Sequence, residues 1–217
     1  MFLLMNVIVV GATGLVGKNI VSELTHDIRV SKVLVFVRRP LDFIHPKIDV
    51  RIVDFDKIEE WKNQIKGDVL FSALGTTLHD AGSKAGQYRV DHDYQFAIAR
   101  YAAYNEVKAY VLISSVNADP HSFFFYLRMK GELEEKVGNL SFPSLFILRP
   151  GPLVGKREKP RWQEKVSTVL LNQLPKALVT PGMRPVSADK VAKIAVRLGL
   201  SLAPGIHISG PKSILFD

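Results

Sequence analysis

Short, nearly unbroken runs of aliphatic and β-branched residues recur along the chain, separated by segments with helical spacing. Val7 to Val10, Val33 to Val37, Val50 to Val53, Val69 to Leu74, Tyr110 to Ile113 and Ser144 to Leu148 have the pattern of strands buried on both faces. Leu15, Val16, Ile20, Val21 and Leu24 fall on one side of a helix, and so do Phe96, Ala97, Ala99 and Ala103 between Asp93 and Tyr104. Further helices are predicted over Ile58 to Ile65, from Asp119 to a stop at Gly138, over Trp162 to Leu174, and from a cap at Val186 to Asp189 as far as Leu200. Ile206 to Ile208 reads as a last edge strand, and the polar, glycine-rich stretch from Ser83 to Val90 as a loop. Strands and helices that alternate in this way predict an α/β fold, a Rossmann-type doubly wound parallel sheet. It forms a single domain over residues 1–217, to which about 150–217 contribute a small substrate-side part.

The first strand runs straight into Gly11-Ala-Thr13-Gly14-Leu15-Val16-Gly17. Glycines at the first two positions permit a tight turn with backbone close to a pyrophosphate, and the third lets the helix pack against the strand. The free N–H groups at the start of that helix, with its positive dipole end, are suited to phosphate. Gly11, Thr13, Gly14, Leu15, Val16 and Gly17 are therefore the expected phosphate cradle. The spacing is GxxGxxG, so the strand before and the helix after carry as much weight as the glycines.

The second strand ends in Arg38-Arg39-Pro40. An acid at this place would bind the 2′-hydroxyl of NAD; guanidinium forks suit the 2′-phosphate of NADP. Arg38 and Arg39 thus point to NADP(H), unless they only solvate a strand end. Asp54, after the third strand, is placed near the adenine, and the small-residue turn Leu74-Gly75-Thr76 near the middle of the cofactor.

Chemistry belongs at the carboxyl ends of the strands. The fifth strand ends in Ser114-Ser115, and the following helix carries Tyr126 and Lys130, four residues apart and on one face. A lysine beside a tyrosine favours the phenolate and gives an acid/base for an alcohol or carbonyl. A nearby serine can hold the carbonyl oxygen, and the lysine can also reach the nicotinamide ribose. Tyr104 and Lys108 have the same spacing but precede the fifth strand, which puts them at the opposite edge of the sheet. Phe123, Phe124 and Phe125 cannot all be buried by one helix face, so either one lines a cleft or interface, or the three are divided between core and loop packing.

Composition narrows the field. With no cysteine, thiol catalysis and thiolate metal sites are excluded, and the six histidines show no metal-binding spacing, so no metal is expected. A net charge of +8 suits polyanions, but the basic residues are scattered and no nucleic-acid motif is present. The apolar start, MFLLMNVIVV, has no basic lead and is broken by Gly11; it reads as a strand of a protein that neither enters a membrane nor leaves the cytoplasm. Lys156 to Arg161 is a basic loop, read as a solvated surface or an attractor for an anionic substrate.

GATGLVG (Gly11 to Gly17), VRRP (Val37 to Pro40), ALGTT (Ala73 to Thr77), AGSKAG (Ala81 to Gly86), SSVNADPHSFFFYLRMKGELEE (Ser114 to Glu135) and LRPGPLVG (Leu148 to Gly155) occur in this order. Together they resemble the atypical short-chain dehydrogenase/reductases, in particular the Tat-interacting-protein-like oxidoreductases and their small bacterial relatives. The resemblance implies NADP(H), a Ser-Tyr-Lys site of Ser114 or Ser115 with Tyr126 and Lys130, and a segment, Pro150-Gly151, that borders the nicotinamide. Motif alignment favours Ser114 of the two serines. Two functions follow as expectations. One is an oxidoreductase that passes hydride between nicotinamide and a small carbonyl or alcohol, in a cleft that is shallow or completed by a partner, as in a homodimer. The other is an NADP(H)-binding redox sensor that acts through a protein partner without turnover.

Overall fold

A computed structural model describes residues 4–41, 45–155 and 184–216. Its main sheet has seven parallel strands in the spatial order β3-β2-β1-β4-β5-β6-β9. These are β1 (Met5–Val10), β2 (Val30–Val37), β3 (Ile48–Ile52), β4 (Val69–Ser72), β5 (Ala109–Ile113), β6 (Ser144–Leu148) and β9 (Gly205–Ser209). A two-stranded parallel ladder, β7 (Leu153–Val154) with β8 (Val186–Ser187), lies apart from it. The order reverses between β1 and β4, which leaves a crevice at their carboxyl ends.

Residue parity shows why both faces are covered. Val7 and Val9 of β1, Phe71 of β4, Val111 of β5 and Phe146 of β6 share one core with α1 (Leu15–His26) and α7 (Ala188–Gly199). Their neighbours Ile8, Val10, Leu70, Leu112 and Ile147 belong to the other. There they meet α5 (Tyr94–Tyr104) through Ile98 and Ala102, and α6 (Phe125–Gly138) through Leu133 and Val137. In the central strands β1, β4, β5 and β6 these residues find an apolar layer on either side, so the continuous apolar runs are satisfied.

The expected doubly wound parallel sheet is thus observed, with differences at particular segments. Ile58 to Ile65 is not one helix. It is a short α2 (Ile58–Trp61) between two 3-10 turns, the first capped by the Asp54 side chain, which accepts from the Asp56 N–H at 3.0 Å. Ser83 to Val90 is helical where a loop was expected. After the one-turn α3 (Leu78–Ala81), Ser83 caps α4 (Lys84–Tyr88), and a π-helical turn over Arg89–Asp93 leads into α5. Asp119 and Pro120 do not start a helix. The Asp119 carboxylate accepts from the His121 N–H at 2.8 Å in a turn, and α6 starts only at Phe125. Gly131 explains the close fit of this turn: a Cβ there would lie 2.2 Å from the carbonyl carbon of Asp119. Trp162 to Leu174 and Lys156 to Arg161 lie outside the described residues. The last described element is a short α8 (Pro211–Phe216).

Candidate functional site at the carboxyl ends of the central strands

Gly11 takes φ +82° at the end of β1, and a Cβ on it would lie 2.4 Å from the carbonyl group of Ala73 at the exit of β4. Gly17 is equally constrained, because its Cβ would lie 2.1 Å from the Gly11 carbonyl oxygen. The turn is closed by the Gly14 N–H on the Gly11 carbonyl at 2.9 Å. Helix α1 then begins with Gly14 as its cap, without a side-chain cap and without an acid in its first turn. Among the described residues its first N–H groups therefore have no side-chain acceptor, which fits the pyrophosphate of a dinucleotide. Thr13 is exposed, Gly14 and Leu15 half-buried, and Val16 and Gly17 buried. Arg38 and Arg39 are exposed at the end of β2 and make no ion pair among the described residues. Asp54 is exposed and occupied as the cap of its own turn.

The turn after β4 is tied to a group that sequence reasoning missed. The Asp91 carboxylate, 1% exposed, accepts from the Thr76 N–H at 2.7 Å, and its other oxygen lies 3.4 Å from Lys130 Nζ. Lys130 is 3% exposed. The π turn that presents Asp91 is itself held, since Gln95 donates to the Asp91 carbonyl at 2.6 Å and Ser72 of β4 donates to Gln95 at 2.7 Å. Gln87 donates to the Thr76 carbonyl at 3.3 Å. Burial pulls the Lys130 pKa down, but the Asp91 carboxylate, then Tyr126, outweigh it, and the ammonium is held above the ordinary lysine value.

Tyr126, Lys130 and Glu134 form one stripe on α6. Tyr126 is 40% exposed and faces outward at the start of the helix, while Lys130 and Glu134 are buried. Glu134 accepts from the Ser114 hydroxyl and holds the Arg149 guanidinium, whose Nε lies 3.0 Å from one carboxylate oxygen. The two serines singled out in the sequence differ in their surroundings. Ser114 is buried, with its proton committed to Glu134, whereas Ser115 is half-buried with only its own loop's Val116 carbonyl as acceptor at 3.3 Å. Pro150 is drawn to the same place, since its carbonyl accepts from the Val116 N–H at 2.9 Å, and Gly151 beside it is buried. Leu74 is half-buried and Gly75 exposed.

Glu134 continues the Tyr126-Lys130 spacing by one more turn, a signal present in the sequence. Substituting it with alanine leaves Arg149 without its carboxylate and the Ser114 hydroxyl without its acceptor. Because Arg149 is about a third exposed, the expected loss is moderate for a buried pair, about 2–3 kcal/mol in urea unfolding.

The decoy pair is where the order of elements puts it. Tyr104 is exposed, and Lys108 pairs with Asp68 at 2.8 Å at the amino-terminal edge of the sheet. Of the three phenylalanines, Phe123 is 94% exposed and Phe124 is also exposed. Phe125 is half-buried beside Tyr88 and Lys84. Among the described residues no cluster of His, Asp or Glu could hold a metal ion.

Sheet order, glycine turn and crevice define a Rossmann-type α/β protein. Solved structures share that fold. MoeE5 in complex with UDP-glucose and NAD superposes with a TM-score of 0.70 at 16% identity, over 94% of this chain and 74% of that one. UDP-glucose 4-epimerase of Thermotoga maritima gives 0.69 at 14% identity, over 95% and 77%. The family model described as HIM1 matches residues 52–181. Protein FMP52, mitochondrial, of Saccharomyces cerevisiae is 37% identical over 210 residues, 91% of this chain and 88% of that protein. Protein HTATIP2 of Rattus norvegicus is 35% identical over 204 residues, 92% and 82%. The chain belongs to the HIM1/FMP52 family, with HTATIP2 among its relatives, in keeping with the resemblance to atypical short-chain dehydrogenase/reductases.

These relatives correct one expectation. The FMP52 proteins of Saccharomyces cerevisiae, Emericella nidulans and Coccidioides immitis are named as mitochondrial, which overturns the cytoplasmic reading. That reading relied on an apolar start without basic residues. Met5–Val10 is the first strand of the sheet, and its apolar character is accounted for by the core.

Proposed function

We propose that this protein is an NADP(H)-dependent oxidoreductase acting on a small carbonyl or alcohol. The observation that carries the reading is a chain of contacts: Gly11 packs against Ala73 at the exit of β4, and the turn that follows is tied through Asp91 to the buried, charged Lys130, which shares a helix face with the half-exposed Tyr126. A bound nicotinamide would supply or accept the hydride. The cradle and the uncapped start of α1 would hold its pyrophosphate, Leu74, Gly75 and Thr76 would run beside its middle, and Pro150-Gly151 would border the ring.

Each side chain then has a separate task. Tyr126, partly exposed, gives its hydroxyl proton to the carbonyl oxygen as an alcohol forms, or takes it back in the reverse direction. Ser115 donates to the same oxygen and fixes its direction. Lys130 keeps a positive charge beside Tyr126, which favours the deprotonated partner in the exchange. Support for NADP(H) over NAD(H) comes from Arg38 and Arg39, exposed and unpaired among the described residues at the end of β2.

The test is fluorescence titration of NADPH and NADH, then a panel of carbonyl compounds with NADPH consumption as readout. Arg38→Ala combined with Arg39→Ala is expected to weaken NADPH by roughly 10–100-fold, the loss of one or two charge-assisted bonds, and to leave NADH nearly unchanged. Equal losses for both cofactors would remove the arginines from the 2′-phosphate site. A wild-type protein that binds neither cofactor would remove the oxidoreductase reading.

A further inference from the structure

The buried pair of Asp91 and Lys130 has a geometry that neither residue needs for packing. Two opposite charges, each nearly inaccessible to water, lie 3.4 Å apart between a π turn and α6. Burial of this kind is costly unless each remaining lone pair and proton is also used. The second carboxylate oxygen is used, by the Thr76 N–H of the turn after β4, so one side chain spans two parts of the candidate site. The backbone that carries Asp91 is fixed in turn by Gln95 and, through it, by Ser72 of β4. A π turn is an uncommon conformation that brings a side chain out of helical register, and it recurs at functional sites.

We propose that Asp91 is the positioning residue of the site: one oxygen holds the Lys130 ammonium and the other holds the Thr76 amide, so that lysine and cofactor turn are set relative to each other before a cofactor arrives. The inference rests on the cofactor reading above. The ionisable groups that face Lys130 among the described residues are Asp91 from the π turn, and Tyr126 and Glu134 from its own helix. Glu134 is engaged by Arg149 and Ser114, so Asp91 supplies the charge that keeps Lys130 protonated. An asparagine at position 91 keeps an acceptor for Thr76 and removes only that charge, while a glutamate keeps the charge on a longer arm.

The experiment follows the Lys130 Cε resonance in protein labelled with 13C-lysine through an alkaline pH titration, for the wild type, Asp91→Asn and Asp91→Glu. NADPH titrations at pH 7 and at pH 9.5 run alongside. In the wild type Lys130 is expected to stay protonated past the ordinary lysine range; in Asp91→Asn it is expected to titrate at least about one pH unit lower, as burial takes over. NADPH affinity in Asp91→Asn is expected to be about tenfold weaker at pH 7, and weaker again at pH 9.5, with Asp91→Glu recovering part of it. A Lys130 titration in Asp91→Asn identical to the wild type overturns the proposal. So does a shifted titration with unchanged NADPH affinity, which would make the pair purely structural. Should Asp91→Asn not fold, the wild-type resonance decides, because a Lys130 that loses its proton below the ordinary range overturns it. A wild type that binds no NADPH removes the cofactor reading instead, and the titration still reports whether Asp91 holds Lys130.

Discussion

Tyr126→Phe is expected to lower turnover by about 10³-fold with NADPH affinity within about twofold of the wild type, because only the proton in flight is lost. The side chain is 40% exposed at the start of α6, so the substitution removes one oxygen from the surface and leaves the core untouched. Stability should change little, by less than about 0.5 kcal/mol. The check is a pair of measurements on one preparation: single-turnover NADPH oxidation with the best carbonyl compound of the panel, and equilibrium NADPH titration. A loss in the titration comparable to the loss in rate would show Tyr126 to be a binding residue and would place the proton source elsewhere. Unchanged rates would remove it from the chemistry.

The same stretch of chain shows what a sequence discloses and what it withholds. That Tyr126 and Lys130 share a face of α6, and that Tyr104 and Lys108 lie at the other edge of the sheet, was legible because helical spacing and strand order are local properties. The strands were legible for a related reason. Val7 to Val10 must satisfy two apolar layers at once, and a four-residue β-branched run has few other uses. Asp91 was hidden because its contacts are with Thr76 and Lys130, fifteen residues before it and thirty-nine after it. The segment around it has little apolar periodicity: its helices are held by the Ser83 cap and by the side chains of Gln87, Asp91 and Gln95, which leave no stripe to read.

Asp119-Pro120 misled for the opposite reason. Both residues do what their local chemistry favours, an Asx-type turn, but Gly131 packs against that turn, and the chain passes through Ser122 before α6 begins at Phe125. The two serines differ by a relation across the fold as well. On a strand their side chains alternate, and only the position of Glu134 shows that the buried side belongs to Ser114.

Gly11→Ala is expected to cost about 2–5 kcal/mol in unfolding and to remove measurable NADPH binding, and Gly82→Ala supplies its control. Both glycines have positive φ, +82° and +73°, so an alanine at either meets the same backbone penalty. Around Gly82 nothing lies within 4 Å of an added Cβ, and its substitution should cost only that penalty, about 1–2 kcal/mol, with cofactor affinity unchanged. At Gly11 the Cβ would meet the Ala73 carbonyl group at 2.4 Å and the Leu74 N at 2.6 Å, all backbone, which cannot move aside as a side chain can. To make room, the end of β1 must separate from the exit of β4, the paired strands between which the strand order reverses to leave the crevice. The turn that carries Thr76, and through it Asp91 and Lys130, would shift with it. Paired urea unfolding and NADPH titration of the two variants separate the causes. If Gly11→Ala loses no more stability than Gly82→Ala and still binds NADPH, the close approach of β1 to β4 is not what the turn is for. If it alone loses both, the glycine is required by its neighbours across the crevice more than by its own φ.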